Sequence, residues 1–186
     1  MKILFLGNKD NNVYKFLTSS AFVTKIFSTE KKVSPDQIAM YDFVISYGYR
    51  HILKKSHIES SKNPIVNLHI SYLPWNRGAH PNYWSWAEAT PKGITIHEID
   101  EGVDTGDILL QKKVNNFTKE ETLSSSYNKL KNEIENLFIE NFFDIINKKI
   151  VPKKQIGKGT FHYKKDLPNL ESWDIKVKTL VKRGKD

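Results

Sequence analysis

The first 69 residues alternate short apolar runs with segments of helical character, and no other feature constrains the fold as strongly. The segments between the runs predict a helix from Asn11 or Asn12 to about Ser19, a helical turn opened by Ser34 and Pro35, and a helix over residues 54–60. Parallel strands need such crossovers, and strands buried on both faces are continuously apolar. The sequence therefore predicts an α/β fold with a mostly parallel sheet and helices on both faces. Its predicted strands are Lys2 to Leu6, Ala21 to Phe27, Phe43 to Tyr47 and Ile65 to His69.

After residue 92 the pattern changes to two longer strands and one long helix. Alternation of period two predicts strands over residues 93–99 and 108–114, joined by a turn over residues 101–107. Thr118 and Glu121 have the spacing of a capping box. Apolar residues at helical spacing extend the helix that this box would open to about residue 148.

A chain of 186 residues is long enough to bury one core, so one domain is predicted. We expect residues 1–150 to form the main domain and residues 151–186 to form a small basic extension packed on it, ending in a short helix near Ser172 to Lys182. Residues 1–147 carry 17 basic and 17 acidic side chains, whereas residues 148–186 carry 12 basic and 4 acidic ones. This excess favours an anionic partner, such as RNA, a nucleotide diphosphate or an acidic protein, or contact with a second copy in a homodimer; a solvated lysine-rich face is the alternative.

Composition excludes several classes of protein. The chain has no cysteine, which excludes disulfides, thiolate nucleophiles and thiolate metal sites and fits a reducing cytoplasm. The apolar start is too short for a signal peptide, and no run approaches the length of a membrane span. The sequence therefore predicts a cytoplasmic protein without a membrane partner.

Three polar residues have the character of an acyl-transfer site. Asn67 and His69 close a predicted strand on the same side, and Asp104 follows 35 residues after His69 in a turn flanked by Gly102 and Gly106. An amide can donate to an oxygen that becomes negative, an imidazole exchanges protons near neutral pH, and a carboxylate can orient the imidazole or a water. We expect the two glycines to permit backbone geometry that other residues resist and to let a flat ligand approach the main chain. The alternative is structural: the amide and imidazole satisfy backbone groups while Asp104 shapes a turn.

The run Asn67-x-His69-x-Ser71-x-Leu73-Pro74-x-x-Arg77-Gly78-x-x-Pro81, with Gly93-x-Thr95 and Gly102-x-Asp104-x-Gly106, resembles the folate-dependent formyltransferases. This family includes methionyl-tRNA formyltransferase, glycinamide ribonucleotide transformylase and the sugar-nucleotide N-formyltransferases. The resemblance is strong over residues 42–114. It implies a Rossmann-like formyltransferase fold, one strand-helix unit shorter than is typical, that moves a formyl group from 10-formyltetrahydrofolate to a primary amine. Asn67 and His69 would hold the formyl oxygen, and Asp104 would manage protons.

The same resemblance assigns two pockets. The folate pocket is assigned to Gly48, Tyr49, Arg50, His51, Ile52 and Leu53, and to Asp100, Glu101, Gly102 and Val103. An ordinary turn between strand and helix is the alternative for the first of these segments. Acceptor contacts are assigned to Ser71, Pro74, Arg77, Gly78 and Trp84.

Differences between this sequence and individual members of the family predict the acceptor. The turn over residues 7–11 lacks the glycine-rich phosphate cradle of the purine-pathway enzyme. The tail is shorter than the tRNA-binding domain of methionyl-tRNA enzymes, which makes tRNA the less favoured partner. Residues 82–86 and 159–166 resemble the small sugar-modifying members, so the predicted acceptor is the amino sugar of a nucleotide-linked sugar. The aromatic residues near this loop, Trp75, Tyr83, Trp84 and Trp86, are expected either to stack on a ligand or to belong to the core.

Other classes of function compete with this interpretation. A hydrolase would use Ser71 or Ser46 with His69 and Asp104, but the sequence has no Gly-x-Ser-x-Gly elbow. A non-catalytic relative would bind nucleic acid through the basic tail. A metal centre is not predicted, because the histidines have no familiar ligand spacing; they are His51, His57, His69, His80, His97 and His162.

Overall fold

A computed structural model describes residues 1–118 and 120–180 of the chain. The strands are β1 (Lys2–Gly7), β2 (Lys25–Thr29), β3 (Phe43–Tyr47), β4 (Val66–His69), β5 (Arg77–Gly78), β6 (Gly93–Glu98), β7 (Ile108–Lys113) and β8 (Phe161–His162). The helices are α1 (Asn12–Ser19), α2 (Pro35–Ala39), α3 (Lys55–Ser60), α4 (Pro81–Ala87) and α5 (Leu123–Ile146).

Six strands form the central sheet in the order β2-β1-β3-β4-β6-β7. The pairings among β2, β1, β3 and β4 are parallel, whereas β6 runs antiparallel to both of its neighbours. The predicted α/β class with a mostly parallel sheet is confirmed. The reversed strand β6 matters most for function, because it lies beside β4, where the predicted site begins.

Helices cover both faces of the sheet, as predicted. Alternate side chains of β1 point to opposite faces. Ile3 and Phe5 pack with α1 and α5, whereas Leu4 and Leu6 pack with residues of α2 and the segment before α3. Burial on both faces is the reason why these strands are continuously apolar in sequence.

The second strand lies later in the chain than predicted. It covers Lys25–Thr29, not residues 21–27. Phe22, from the apolar stretch that suggested the earlier start, packs edge to face against Phe143 of α5, with ring centroids 5.2 Å apart. The apolar character of that stretch therefore serves a contact between chain segments and not a strand.

The long helix begins later than predicted, and the predicted capping box is wrong. The N-cap is Thr122, whose side chain accepts a hydrogen bond from Ser125 N at 3.1 Å, and the reciprocal bond from Thr122 N to Ser125 Oγ measures 2.9 Å. Glu121 instead binds Lys129 at 3.1 Å. The cap is therefore formed by Thr122 and Ser125, which have the same spacing as the predicted pair, Thr118 and Glu121.

Residues after 152 return to the main body. Ile108 and Lys153 exchange backbone hydrogen bonds, and β8 pairs with β5 in a separate two-stranded parallel sheet. Of the predicted helix near Ser172 to Lys182, the structure contains a 3₁₀ turn at Val177–Thr179, and residues 181 and 182 lie outside the described residues. Among residues 1–118 and 120–180, no helix has the length and apolar character needed to cross a membrane.

Candidate active site

The carboxylate of Asp104 brings the three predicted catalytic residues together. Its Oδ1 lies 3.6 Å from His69 Nδ1 and 3.4 Å from Asn67 Nδ2. Asn67 and His69 come from the carboxyl end of β4, and Asp104 comes from the turn between β6 and β7. Side chains two apart on a strand share a face, which is why both reach the same carboxylate.

His97 is a fourth member of the cluster, and the sequence pattern did not predict it. It lies opposite Asn67 in the antiparallel register of β4 and β6. Its Nε2 is 3.1 Å from Asn67 Nδ2 and 3.5 Å from Asp104 Oδ1. Its Nδ1 lies 2.7 Å from Glu98 O, a distance at which Nδ1 must carry the proton and donate. With that proton on Nδ1, Nε2 is the ring nitrogen that can accept from the amide of Asn67.

The amide of Asn67 is oriented by these contacts. With its nitrogen toward His97 and Asp104, both N–H groups point at acceptors, at 3.1 and 3.4 Å. The second contact is longer than a typical N–H···O hydrogen bond and is the weaker of the two. An incoming oxygen can therefore replace Asp104 as the partner of that N–H while His97 keeps the amide in place.

The backbone at Asp104 holds its carboxylate in position. Asp104 has φ 53°, a left-handed conformation that is uncommon outside glycine. Its Oδ2 accepts a hydrogen bond from Gly78 N at 2.8 Å. The expectation that Gly102 and Gly106 supply the unusual backbone geometry is wrong; a Cβ at those positions would lie 2.0 Å from Thr105 Oγ1 and 1.8 Å from Glu98 O. The two glycines allow close packing, and the aspartate itself takes the strained conformation.

Asp104 is an ionised group in a mostly buried site. Burial alone would raise the pKa of this carboxyl, but the nearby ring of His69 and the Gly78 N–H favour the charged form and together hold the pKa below its usual range. The carboxylate is therefore available near neutral pH to accept a proton or to stabilise a positive charge.

His69 is neutral near pH 7. Burial lowers the pKa of this ring from its ordinary value of 6.5 and outweighs the attraction of Asp104. A neutral ring has one proton for two acceptors, since Nε2 lies 3.3 Å from Asn76 O and Nδ1 lies 3.6 Å from Asp104 Oδ1. A proton taken up by the ring would satisfy both contacts. The pair of imidazole and carboxylate is thus arranged to share one incoming proton.

Gln155, from the C-terminal extension, clamps the turn that contains Asp104. Its Nε2 donates to Asp104 O and to Gly106 O, each at 2.8 Å. Its Oε1 accepts from Arg77 Nε at 3.1 Å and from Arg77 Nη2 at 2.6 Å. Gly78, the residue after Arg77, binds the carboxylate of the same aspartate. Gln155 therefore contacts both the main chain of Asp104 and the segment that binds its carboxylate. The sequence offered no signal for this role, since the contact spans 51 residues.

The first segment assigned to folate presents its backbone, one apolar side chain and the exposed side chain of Arg50. Tyr49 Oη donates to Lys31 O at 2.9 Å, and His51 Nε2 lies 3.1 Å from Glu30 O, so both rings bind the loop after β2. Leu53 is buried in the core and presents no side chain to a ligand. Ile52, in contrast, is 74% exposed, and a Cβ built at Gly48 meets nothing within 4 Å.

The second segment assigned to folate is a shaped turn close to the first. Asp100 Oδ1 accepts from Gly102 N at 3.0 Å and from Thr105 Oγ1 at 2.6 Å. Val103 is 38% exposed, and Glu101 lies 3.6 Å from Lys55, the first residue of α3. The second segment therefore lies beside the start of α3, the helix that follows the first segment, and each segment has one exposed large apolar side chain.

The residues assigned to the acceptor differ in what they contact. Arg77 and Gly78 support Asp104, as described above. Ser71 is buried and donates a short hydrogen bond to Trp75 O, so its hydroxyl holds the loop and is not directed at His69 as a hydrolase nucleophile would be. Pro74 O accepts from Thr160 N at 3.3 Å. Trp84 stacks on His162, with ring centroids 4.0 Å apart and planes 8° apart. In residues 1–118 and 120–180, no group of three or more His, Cys, Asp and Glu side chains could hold a metal ion.

Sequence comparison connects this site to known proteins. A family profile described as Formyl transferase matches residues 10–142. The methionyl-tRNA formyltransferase of Thermodesulfovibrio yellowstonii is 39% identical over 139 residues, 73% of this chain and 42% of that protein. The dTDP-4-amino-4,6-dideoxyglucose formyltransferase of Mycobacterium bovis is 28% identical over 138 residues, 74% of this chain and 58% of that protein. The chain thus spans about half the length of the curated relatives it matches.

Solved structures show a closer match in length. The formyltransferase PseJ from Anoxybacillus kamchatkensis, solved in complex with UDP-4,6-dideoxy-4-formamido-L-AltNAc and tetrahydrofolate, is 39% identical and superposes with a TM-score of 0.90. That match covers 100% of both chains. A 4-N formyltransferase from Francisella tularensis, 23% identical, has a TM-score of 0.80 over 97% of this chain and 85% of that chain, and shares the fold.

Proposed function

The chain belongs to the formyl transferase family, as its motifs predicted, and on that premise we propose that it moves a formyl group from 10-formyltetrahydrofolate to the amino group of a nucleotide-linked amino sugar. One observation carries the proposal. Asn67, His69 and Asp104 converge within 3.4 to 3.6 Å at the carboxyl end of β4. This is where an open α/β sheet binds its ligands.

The residues present fit a folate. A pteridine is flat, with apolar faces and polar edges, and the two loops supply exposed Ile52 and Val103 together with the open backbone at Gly48. The neighbouring turn, fixed by the side chain of Asp100, offers main-chain groups to a polar edge. When bound, 10-formyltetrahydrofolate supplies the activated formyl carbon.

Each residue of the polar cluster then has its own role toward the formyl oxygen or the amine proton. Asn67 donates one amide N–H to the formyl oxygen in place of its long contact with Asp104, while His97 holds the amide. The ring of His69 can donate from Nε2 to the same oxygen, because its 3.3 Å contact with Asn76 O is weak. As the acceptor amine forms its bond to the formyl carbon, its proton would pass to the His69 and Asp104 pair. The bond between that carbon and N10 of the folate would then break, and the departing nitrogen would take the proton from the pair, which restores both groups.

A nucleotide-linked amino sugar is the acceptor that the similarities support best. PseJ, which was solved with a UDP-linked formamido sugar, matches this chain over the whole length of both proteins at 39% identity. The methionyl-tRNA relative is equally identical but shares only 42% of its own length. Methionyl-tRNA or another amine is therefore the second candidate.

Three finer expectations belong to the same proposal. Residues 1–150 act as the catalytic domain and residues 151–186 as an extension that supports it. The protein works in the cytoplasm, where a folate donor is available to it. It forms a homodimer, and light scattering of the purified full chain measures that state directly.

The proposed function is tested by supplying the full chain with 10-formyltetrahydrofolate and a panel of amines. The panel contains UDP-linked and dTDP-linked 4-amino sugars, the corresponding free amino sugars and methionyl-tRNA. We expect mass spectrometry to find one formyl group added to a nucleotide-linked sugar, with free sugars formylated far more slowly. Formylation of methionyl-tRNA alone would replace the proposed acceptor, and formylation of no amine would refute the activity.

A further inference from the structure

A cavity of about 320 Å³ adjoins the active site and is used by none of the roles described above. It lies between the N-terminal ends of α4 and α5 and the C-terminal segment, and Ile70, the residue after His69, contributes to its wall. Small-molecule sites in proteins commonly start at about 300 Å³, so the cavity suits one compact ligand group.

Aromatic rings dominate the lining of the cavity. Tyr83, Tyr127 and Trp173 all contribute to it. Trp173 lies roughly parallel to the ring of His80, with centroids 5.7 Å apart and planes 27° apart, and its side chain is 45% exposed. A partly exposed indole at the mouth of an aromatic cavity offers a surface on which a flat heterocycle can stack.

The polar side chains of the lining are few. Asn82 is already engaged, since its Nδ2 donates to Leu123 O at 2.9 Å and its Oδ1 accepts from Ser126 Oγ at 3.0 Å. Ser124 and Tyr127 supply hydroxyl groups. A cavity with apolar walls and a few hydroxyls binds a heterocycle by stacking, with hydrogen bonds at its edge.

Positive charge gathers at the same mouth. Burial lowers the pKa of His80, and the nearby charges of Lys164 and Arg50 lower it further. Lys164 and Arg50 are themselves exposed and come from distant parts of the chain. Lys164 follows two residues after His162, whose ring stacks on Trp84 of α4 at 4.0 Å, so it lies beside the helix that begins at the cavity. Exposed cations beside such a cavity attract phosphate groups.

We propose that this cavity binds the base of the acceptor's nucleotide on Trp173 and that Arg50 and Lys164 bind its diphosphate. The inference rests on the proposed function, because it extends the acceptor from the reacting amine near His69 to the far end of the same molecule. It also gives the basic extension a specific role in binding, since Lys164 and Trp173 both lie beyond residue 150.

Binding of UDP and dTDP without any sugar tests the inference on the full chain, by calorimetry and in the absence of folate. We expect Trp173→Ala to weaken binding at least tenfold and Trp173→Phe to stay within about threefold of wild type, because phenylalanine keeps the stacking surface. Lys164→Ala should weaken binding several-fold and reduce its dependence on salt. Uridine, which lacks phosphates, should bind more weakly than UDP and be indifferent to Lys164→Ala.

The matched control is Lys165→Ala. This neighbour is also exposed, but its ammonium lies over the ring of Tyr163, 5.5 Å from the centroid, so we expect no change in UDP affinity. Lys164 is exposed and its replacement leaves the core untouched, which keeps the test decisive if Trp173→Ala unfolds. Far-UV circular dichroism identifies that case.

Several binding results would overturn the inference. They are no binding of UDP or dTDP at millimolar concentration, equal affinity in wild type and Trp173→Ala, equal affinity for UDP in wild type and Lys164→Ala, and a Trp173-dependent site that takes an RNA oligonucleotide ending in CCA but not UDP. Failure of the proposed function looks different. Trp173-dependent binding of UDP with no formyl transfer would support the nucleotide site and refute the activity. Formyl transfer to a UDP-sugar that is unaffected by Trp173→Ala would support the activity and refute the nucleotide site.

Discussion

Gln155→Ala should damage catalysis from a distance, because this side chain holds the turn on which Asp104 lies. The substitution removes two hydrogen bonds to main-chain oxygens, at 2.8 Å each, and the acceptor of the Arg77 guanidinium. A neutral hydrogen bond contributes roughly 0.5–1.5 kcal/mol to stability, and one to a charged group roughly 1.5–3 kcal/mol. Water replaces part of this loss at a half-buried residue, so we expect the free energy of unfolding to fall by about 2–3 kcal/mol.

The expected loss is measurable in two assays. For a domain of this size each kcal/mol lowers Tm by roughly 2–4 °C, which predicts a fall of about 4–12 °C in a thermal melt. Displacement of a catalytic group by an ångström can cost about a hundredfold in rate, so kcat should fall about tenfold to a hundredfold. The KM for 10-formyltetrahydrofolate should rise less than kcat falls, because Gln155 holds the turn at Asp104 and Gly106, while the residues assigned to folate are contributed by the part of the turn before Asp104 and by a separate loop.

Two further variants separate positioning from general stability. Gln155→Glu keeps an acceptor for Arg77 but places a carboxylate oxygen opposite the carbonyls of Asp104 and Gly106, so Tm should recover in part while kcat stays low. Lys154→Ala is the matched control; it loses an exposed ion pair with Asp107 at 2.9 Å, which typically contributes under about 1 kcal/mol. Wild-type kcat in Gln155→Ala, or a kcat that recovers together with Tm in Gln155→Glu, would refute the reasoning.

Three other substitutions or conditions test separate parts of the site. His69 must be neutral to take up a proton, and its pKa is lowered. We therefore expect kcat/KM to be level at neutral pH and to fall with decreasing pH only below about 6.5. A pH profile with its acid limb centred above that value contradicts this assignment. Gly78→Ala should lower Tm and reduce kcat together, since Gly78 has φ 86° and an added Cβ would lie 2.3 Å from His162 O, moving the N–H that binds Asp104; a melt and rate equal to wild type would show that the backbone there tolerates a side chain. His97→Ala should lower kcat roughly tenfold at temperatures where a melt shows the variant folded, because the amide of Asn67 loses its closest partner, and an unchanged kcat would remove His97 from the positioning role.

The fold and the three central residues could be predicted because their signals are local. The apolar runs of β1, β3 and β4 are continuous in sequence, and sheet topology then fixes which strand ends meet. Asn67 and His69 lie on one strand, and Asp104 stands in a turn whose glycines mark it. Strong family motifs cover the same stretch, and the family is confirmed by the matched profile.

The remaining parts of the site depend on contacts between distant segments. His97 joins the cluster only through the antiparallel register that pairs it with Asn67, and a shift by one residue would turn it to the other face. Gln155 reaches Asp104 because the extension returns beside β5 and β7. The α5 cap at Thr122 shows the limit even of local motifs, since two consecutive capping patterns, at residues 118–121 and 122–125, both fit the sequence and only the second forms the cap.

The most direct measurement of the central claim is single-turnover formyl transfer by Asp104→Asn, with folate affinity measured in parallel. Asparagine preserves the size of the side chain but cannot take the proton that leaves the amine. We expect the rate to fall at least about a thousandfold while the Kd for folate changes less than about threefold. A rate within tenfold of wild type would contradict the account, because the carboxylate at the centre of the cluster would then have no part in the chemistry.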